Sequence, residues 1–451
     1  MGRSGGVPRR APDVRPMVRS YGCGRSSGRD RLSAMETSGS GGVDRSARST
    51  RGGWVRLQAV AVAGSCSEGL VFAALPLLAV SVTTDPRAVS LVNTVGQAPW
   101  LLLSLFAGVL IDRVRRGVVL AFAYAMQVAA ALVLAIAGTT GALSLPLLMV
   151  VAFVVTSSQV LGDGASGSLV PEIVPEDRLA AANARLQVIE RGVVQFLVPP
   201  AAGVLLAWGA GAPAWVACVG AAAALLISRR LPSTRFEGER KHPFRDIGEG
   251  LRYLVASPLL RSITITVVLG AFAASGTSAM FVLYVTQELH AGPVWYGILL
   301  ACLAIGWFTA SFFVNPLVTH LGYAWSLRIS QTLAVTVPLL LALIPPWTAL
   351  VAAILVCQSA GTLIWNVCSL SARQRFTPPA LLGRVLTSHR ALAWGLTPLG
   401  ALTGGLIATH YPLRAVWIVA AGLQAVGLLI VWKTLSPTTF TQAETTHPPR
   451  T

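Results

Sequence analysis

Charge is what this chain has least of: only 12% of its residues are Asp, Glu, Lys or Arg, about half the share of an ordinary soluble domain. So thin a supply cannot cover the surface of a water-soluble chain of 451 residues, and that class is excluded. Acids are scarcer still, 18 against 35 Lys and Arg. Cysteine is rare as well. The six (Cys23, Cys66, Cys218, Cys302, Cys357 and Cys368) show no Cys-x-x-Cys spacing and lie mainly in apolar runs, where they read as small helix-packing residues and not as redox or metal groups. Also missing are a phosphate loop ending in Gly-Lys-Ser/Thr, a His-x-x-x-His pair and a Gly-x-Ser-x-Gly elbow. No enzyme activity, cofactor or metal is therefore expected, and ATP hydrolysis by this chain is excluded.

What the chain has instead is apolar length. Hydrophobic residues make up 54%, the mean hydropathy is +0.65, and the apolar runs are about 20 to 28 residues long, enough to cross about 30 Å of hydrocarbon. Twelve runs stand out: residues 57–82, 88–111, 118–138, 142–169, 179–208 and 212–229, then 259–287, 293–319, 323–345, 347–373, 384–410 and 412–433. Between the two sets lies the longest internal polar stretch, Arg229 to Arg261, with eight basic residues and four acids. The expected fold is an all-α integral membrane protein of twelve transmembrane helices in two six-helix halves. The expected divisions are a basic tail (1–56), a first half (57–229), a cytoplasmic linker (230–258), a second half (259–433) and a disordered C-terminal tail (434–451).

A net charge of +17 suggests nucleic acid until its placement is read. Twelve Arg against four acids place +8 of it in residues 1–56, a Gly- and Ser-rich segment with the composition of disorder. Met17 and Met35 are internal candidate starts, and residues 1–34 read as upstream coding sequence, set aside from the fold. No apolar core follows the basic region before Leu57, and Arg9-Arg10 leads into Ala-Pro-Asp, so neither a secretory nor a twin-arginine signal is expected. The first span then serves as its own uncleaved signal. Elsewhere Arg and Lys favour one set of connections: Arg113, Arg115, Arg116, Arg178, Arg229, Arg230, Arg328, Arg373 and Arg375 lie on one side, Arg87 and Arg414 on the other. The positive-inside rule then places both termini in the cytoplasm of a multi-pass cell-membrane protein, with the lipid bilayer and not nucleic acid as its partner. Within the linker, DIGEGLRYLVASPLL (Asp246 to Leu260) has helical apolar spacing and is expected as an amphipathic helix on the inner surface.

The most specific local signal is GVLIDRVRRGVVL, Gly108 to Leu120, between the second and third runs. It resembles the loop signature of the major facilitator superfamily: Gly, Leu, Asp, Arg, then paired basic residues. The resemblance implies a gating loop of Gly108, Asp112, Arg113, Arg115 and Arg116, with Asp112 capping the N-terminus of span eleven and holding the inner side shut. The three Arg also fit the part of ordinary positive-inside anchors. At the corresponding turn of the second half, NPLVTHLGYAWSLR (Asn315 to Arg328) has no carboxylate.

A second resemblance covers LVPEIVPEDRLAAANARLQVIERGVVQFLVPPAAGVLL (Leu169 to Leu206) and WNVCSLSARQRFTPPALLGRVLTSHRALAWGLTPLGALTGGLIA (Trp365 to Ala408). Both are similar to the actinobacterial branch of the enterobactin-exporter and macrolide-efflux group. This implies efflux of a small amphiphilic compound (a drug, macrolide or siderophore) by a monomeric antiporter of the multidrug-resistance kind, with protons as coupling ion. Import by proton symport shares every feature that fixes the fold, and a non-transporting membrane sensor is a third reading. The glycine-rich antiporter signature of span five is only partial here: Pro199 and Pro200 remain while two glycines are missing. With Pro398 in span eleven they are expected to kink their helices.

Charges inside spans are costly unless paired or hydrated. Glu68 lies eleven residues into the first run, about 16 Å along a helix and near mid-membrane, which makes it the candidate for proton coupling or for binding a cationic substrate, against a packing role. Asp163, Arg185, Glu190, Arg191, His389 and Arg390 form a candidate intramembrane charge network. Neighbours diverge by about 100° on a helix, so Glu190 and Arg191 do not face one point, and Arg191 or Arg185 is expected to pair with Asp163 as a structural bridge or a conformational gate. A lone His at the depth of His389 reads more simply as a hydrogen-bonded structural group. Mid-span polar and aromatic residues supply the candidate cavity lining for a small-molecule substrate: Asn93, Gln97, Tyr284, Trp307, Trp365, Asn366 and Trp394.

Overall fold

Prolines set where many helices begin. Pro86, Pro258 and Pro293 each occupy a first helical position, where the missing N–H has no partner to lose and the fixed φ suits the turn. The computed structural model describes residues 29–174, 182, 185, 186, 189, 190, 197–231 and 243–434. Its helices, in chain order, are α1 (Arg29–Val82), α2 (Pro86–Arg113), α3 (Arg116–Thr140), α4 (Leu145–Ile173), α5 (Val198–Trp208), α6 (Ala212–Ser228), α7 (Pro243–Ala256), α8 (Pro258–Leu283), α9 (Pro293–Leu343), α10 (Thr348–Arg375), α11 (Pro379–Gly395), α12 (Thr397–His410) and α13 (Ala415–Thr434). A π-helical turn, Tyr284–Glu288, extends α8. Among the described residues there is no strand.

Eight stretches among the described residues are long and apolar enough to cross a membrane. One of them, Pro293–Leu343, holds two of the expected runs in 51 residues, and Gly322 divides it with φ 75 and ψ 168, a backbone state that favours glycine. Helix ends depart from the hydropathy runs by a few residues because local caps decide them. Asp85 accepts from the Arg87 N–H at 2.9 Å and starts α2 before residue 88, and Gly141, at φ 74, closes α3 beyond residue 138. Of the run 179–208, only positions 182, 185, 186, 189 and 190 and the stretch 197–208, with α5, are described. Pro199 and Pro200 stand in the first turn of α5, and Pro398 in the first turn of α12, just after α11 ends.

Residues 1–51 form a unit of their own. Its described part, 29–51, is helical. Residues 1–28 lie outside the described residues, as does the expected C-terminal tail from 435 onward.

In the second unit, Gly52–Thr451, α2 packs on α4 and α12, α3 on α4 and α6, α8 on α12 and α13, and α9 on α5, α10 and α13. Apolar side chains also cover the outside. Val219 is 70% exposed and Phe313 67%, as suits helices apolar all round with lipid as solvent. The expected amphipathic helix is α7. It docks on α11: Gly250 lies against the Arg384 backbone, Glu249 pairs with Arg384, and the Tyr253 hydroxyl donates to the Phe376 carbonyl at 3.3 Å. Burial pushes the Tyr253 hydroxyl above its ordinary range.

Where the second set lacks a carboxylate, an arginine clamps the bundle. Arg328 is only 8% exposed. Its guanidinium lies 5.2 Å from the Trp325 ring centre and 4.6 Å from that of Trp432, and Nη2 donates to the Trp432 carbonyl at 3.0 Å. A planar, delocalised cation suits that slot and an ammonium does not. Arg328→Lys is expected to lower stability by about 1–3 kcal/mol, read as a fall in the melting temperature of the purified protein; an unchanged value removes the clamp.

Candidate functional site

On α4, Ala152, Thr156, Gln159, Asp163 and Gly167 follow one another at three- and four-residue steps, which puts them on one helix face. That face meets one face of α1, from Ala61 to Ala79, and one of α2, from Val89 to Trp100, around a cavity of about 550 Å³. Glu68, half-buried, points into it, and Gln159 Nε2 donates to Glu68 Oε1. Asp163 is exposed along the same wall, and Glu190 adds a third carboxylate. All three act electrostatically on the Tyr124 hydroxyl of α3, which also lines the space. Tyr124 reaches this wall because Gly64 presents no side chain where α1 passes it: a Cβ there would fall on the phenol ring.

The wall is one-sided. Among its described residues, only Ala279, Arg390 and Trp394 come from helices beyond residue 243. The Trp394 and Trp100 rings approach to 6.2 Å between centres, tilted at 32°. A polar chain also crosses between the helix sets: Gln97, bonded to Asn93, donates to Ser275 Oγ at 3.1 Å, and Ser275 Oγ donates to the Thr397 carbonyl at 2.7 Å.

Helices of the two sets also approach one another closely outside the described wall of the cavity. A Cβ on Gly203 of α5 would come within 2.6 Å of the Pro293 carbonyl oxygen. Gly297 of α9 faces the Pro199 carbonyl in return, and Gly405 of α12 lies against the Ser90 side chain of α2. Arg87 Nη2 and His410 Nε2 meet at 3.1 Å beyond these contacts. Small residues here let helices from opposite sets approach closely.

Of the residues expected at a site, Glu68, Asn93, Gln97, Asp163, Glu190, Arg390 and Trp394 all line this cavity. Tyr284, Trp307, Trp365 and Asn366 do not. Tyr284 is fully buried against Trp417, ring centres 4.8 Å apart, and its hydroxyl donates to the Leu341 carbonyl at 3.4 Å. Trp365 belongs to a core with Leu260 and Leu327. Depth in the membrane points to these four, and depth does not fix the rotation of a helix. His389 is buried with Nδ1 3.0 Å from Thr264 Oγ1. Arg185 is exposed, and Arg191 lies outside the described residues.

In the loop signature, the side chains of Gly108, Asp112 and Arg113 lie outside the described residues. Arg115 is exposed just before α3, and Arg116 Nη1 donates to the Ser168 carbonyl of α4 at 2.6 Å. Sequence reasoning missed Tyr124, Thr156 and Gln159. The four-residue spacing of Gln159 and Asp163 was the available signal for the last.

A family model described as transmembrane secretion effector matches residues 59–449. The chain belongs to this family of major facilitators. This major facilitator is 25% identical over 371 residues to an uncharacterized MFS-type transporter, y4rN, of Sinorhizobium fredii (strain NBRC 101917 / NGR234), covering 80% of this chain and 90% of the relative. Its fold is shared by a bacterial homologue of the iron transporter ferroportin in an inward-facing state, with TM-score 0.69, 15% identity and coverage of 85% of this chain and 98% of that one. The nucleoside transporter NupG is similar too, at TM-score 0.68, 12% identity and 84% and 98% coverage. The major facilitator is thus a multi-pass membrane transporter.

Proposed function

We propose that this transporter exports a small amphiphilic compound in exchange for protons, as a monomer in the cell membrane with both termini in the cytoplasm. The supporting observation is the cavity itself: a carboxylate, Glu68, faces it from within a membrane span, among aromatic and amide side chains. The twelve apolar runs, grouped six and six, give the two halves that rock about this site, and the glycine crossings of α5 with α9 and α2 with α12 fall between those halves. With the basic connections inside, these glycine crossings lie toward the outer side and the cavity serves the cytoplasm. Glu68 carries the proton, Asp112 of the loop signature holds the inner side in the opposite state, and the enterobactin-exporter and macrolide-efflux resemblance supplies the direction.

The test is accumulation of labelled antibiotics and dyes in an efflux-deficient host, comparing wild type with Glu68→Gln, each with and without an uncoupler. Lower accumulation in wild type alone, restored by the uncoupler, is expected. Higher accumulation in wild type would mean import, and export that survives Glu68→Gln would remove Glu68 from coupling.

A further inference from the structure

Arg328 carries a charge for which the described residues supply no counter-ion. Its guanidinium is held by the ring faces of Trp325 and Trp432 and by the hydrogen bond from Nη2 to the Trp432 carbonyl. Nε has no hydrogen-bond partner, and no carboxylate among the described residues pairs with the side chain. A guanidinium carries more N–H donors than this packing uses. Ring faces attract a cation, but they bring no net charge to cancel it. A cation held this far out of water is costly until an anion neutralises it.

The surroundings indicate which anion. Trp325 and Arg328 follow the break at Gly322 in α9, and Trp432 lies in the last turn of α13, so the charge sits where two apolar helices meet at one end of the bundle. Both indoles are about half exposed, Trp325 at 45% and Trp432 at 49%. Ile329 lies one turn beyond Trp325 and Leu429 one turn before Trp432, both exposed, which extends the same two faces with apolar surface. Such surface on a membrane helix meets lipid tails, and tryptophan collects at the level where tails give way to headgroups. Lys433, exposed beside Trp432, adds a second cation, again with no carboxylate partner among the described residues. A soluble anion answers the charge alone, whereas a phosphate with acyl chains answers the charge and the apolar faces together.

We propose that Arg328, Lys433, Trp325 and Trp432 form a binding site for an anionic phospholipid, with its phosphate on the two cations, its glycerol level at the indoles and its acyl chains along Ile329 and Leu429. Arg328 already ties α9 to α13, and a lipid seated here fastens the same two helices from outside. The site is independent of what the cavity carries. With both termini in the cytoplasm, as in the reading above, it draws on the inner leaflet, whose anionic lipids give that surface its negative potential.

Native mass spectrometry of the purified full chain, titrated with dioleoyl phosphatidylglycerol or with zwitterionic dioleoyl phosphatidylcholine, tests this through the affinity of the first lipid bound. Phosphatidylglycerol is expected to bind about tenfold more tightly. Arg328→Gln is expected to abolish that preference and Lys433→Gln to reduce it severalfold. Arg252→Gln, which removes an exposed arginine from α7, the helix docked on α11, is expected to leave it unchanged. Equal binding of the two lipids overturns the proposal. So does a preference that falls as far in Arg252→Gln as in Lys433→Gln, because the attraction is then to the net charge of the chain and not to this site. Inorganic phosphate, added as a competitor, is expected to leave the first lipid in place; displacement by phosphate makes this a site for a soluble anion and overturns the lipid assignment. Should Arg328→Gln fail to fold, Lys433→Gln, at the exposed end of α13, decides the matter.

Discussion

Leucine at position 297 is expected to stop transport while leaving the protein folded. Gly297 faces the Pro199 carbonyl and lies 3.0 Å, measured from a Cβ added there, from the Pro200 Cα. The contact joins α9 to α5, helices from opposite sides of the bundle. A side chain at this crossing has nowhere to go except between the helices. Overpacking costs about 1–3 kcal/mol where neighbours cannot move. On the proposed function, in which the two halves rock about the site, that cost falls on the conformation in which these helices touch and is relieved where they part. The equilibrium between the two states then shifts by roughly tenfold to a hundredfold. Spin labels at positions 87 and 410, which bracket the Arg87 to His410 contact, should report a wider separation in Gly297→Leu than in the parent, with uphill transport lost. Unchanged transport would mean that this crossing does not open during the cycle.

The same substitution one helix away is expected to do something different. Gly400 and Gly404 form a Gly-x-x-x-Gly step on α12, and both press on the α8 backbone: Gly400 on the Phe272 carbonyl, and Gly404 within 2.7 Å of the Gly276 carbonyl oxygen, again from an added Cβ. Gly276 meets the Gly400 carbonyl in turn at 3.0 Å. Backbone against backbone leaves no flexible side chain to yield. Because α8 and α12 both belong to the expected second half, the proposed rocking of the halves does not relieve the clash. Gly404→Leu is therefore expected to exceed the ordinary overpacking cost of about 1–3 kcal/mol and to abolish the monodisperse peak in size-exclusion chromatography of the solubilised protein. A well-behaved, heat-stable variant would show that this pair of helices separates.

Hydropathy alone marked the helices because lipid demands about 20 apolar residues in a row, and no other constraint in the chain is so long-ranged. It missed the ends, which Asp85, Gly141 and the prolines decide through single turns. For the site, isolated polar residues in apolar runs were legible: Glu68, Asn93, Gln97 and Asp163 all reach the cavity. Aromatics were not, since a Trp is equally at home in a core, as Trp365 is, at a lipid face, or on a wall, as Trp394 is. Tyr124 was hidden for a further reason. Its access depends on a glycine in another helix, Gly64, and pairings across helices leave no mark in the local sequence.

The cavity takes nearly all its described wall from α1, α2, α3, α4 and positions 186 and 190, while later helices add Ala279, Arg390 and Trp394. Division of labour on that scale bears on how such a chain acquires new cargo. A lineage met by an unfamiliar substrate can vary the wall on one side without disturbing the clamp at Arg328 or the glycine step on α12, both of which lie on the other. Adaptive substitutions should therefore accumulate mainly between residues 61 and 190, and beyond Arg390, Trp394 and the crossing at Gly297 the later helices should change chiefly under selection for packing.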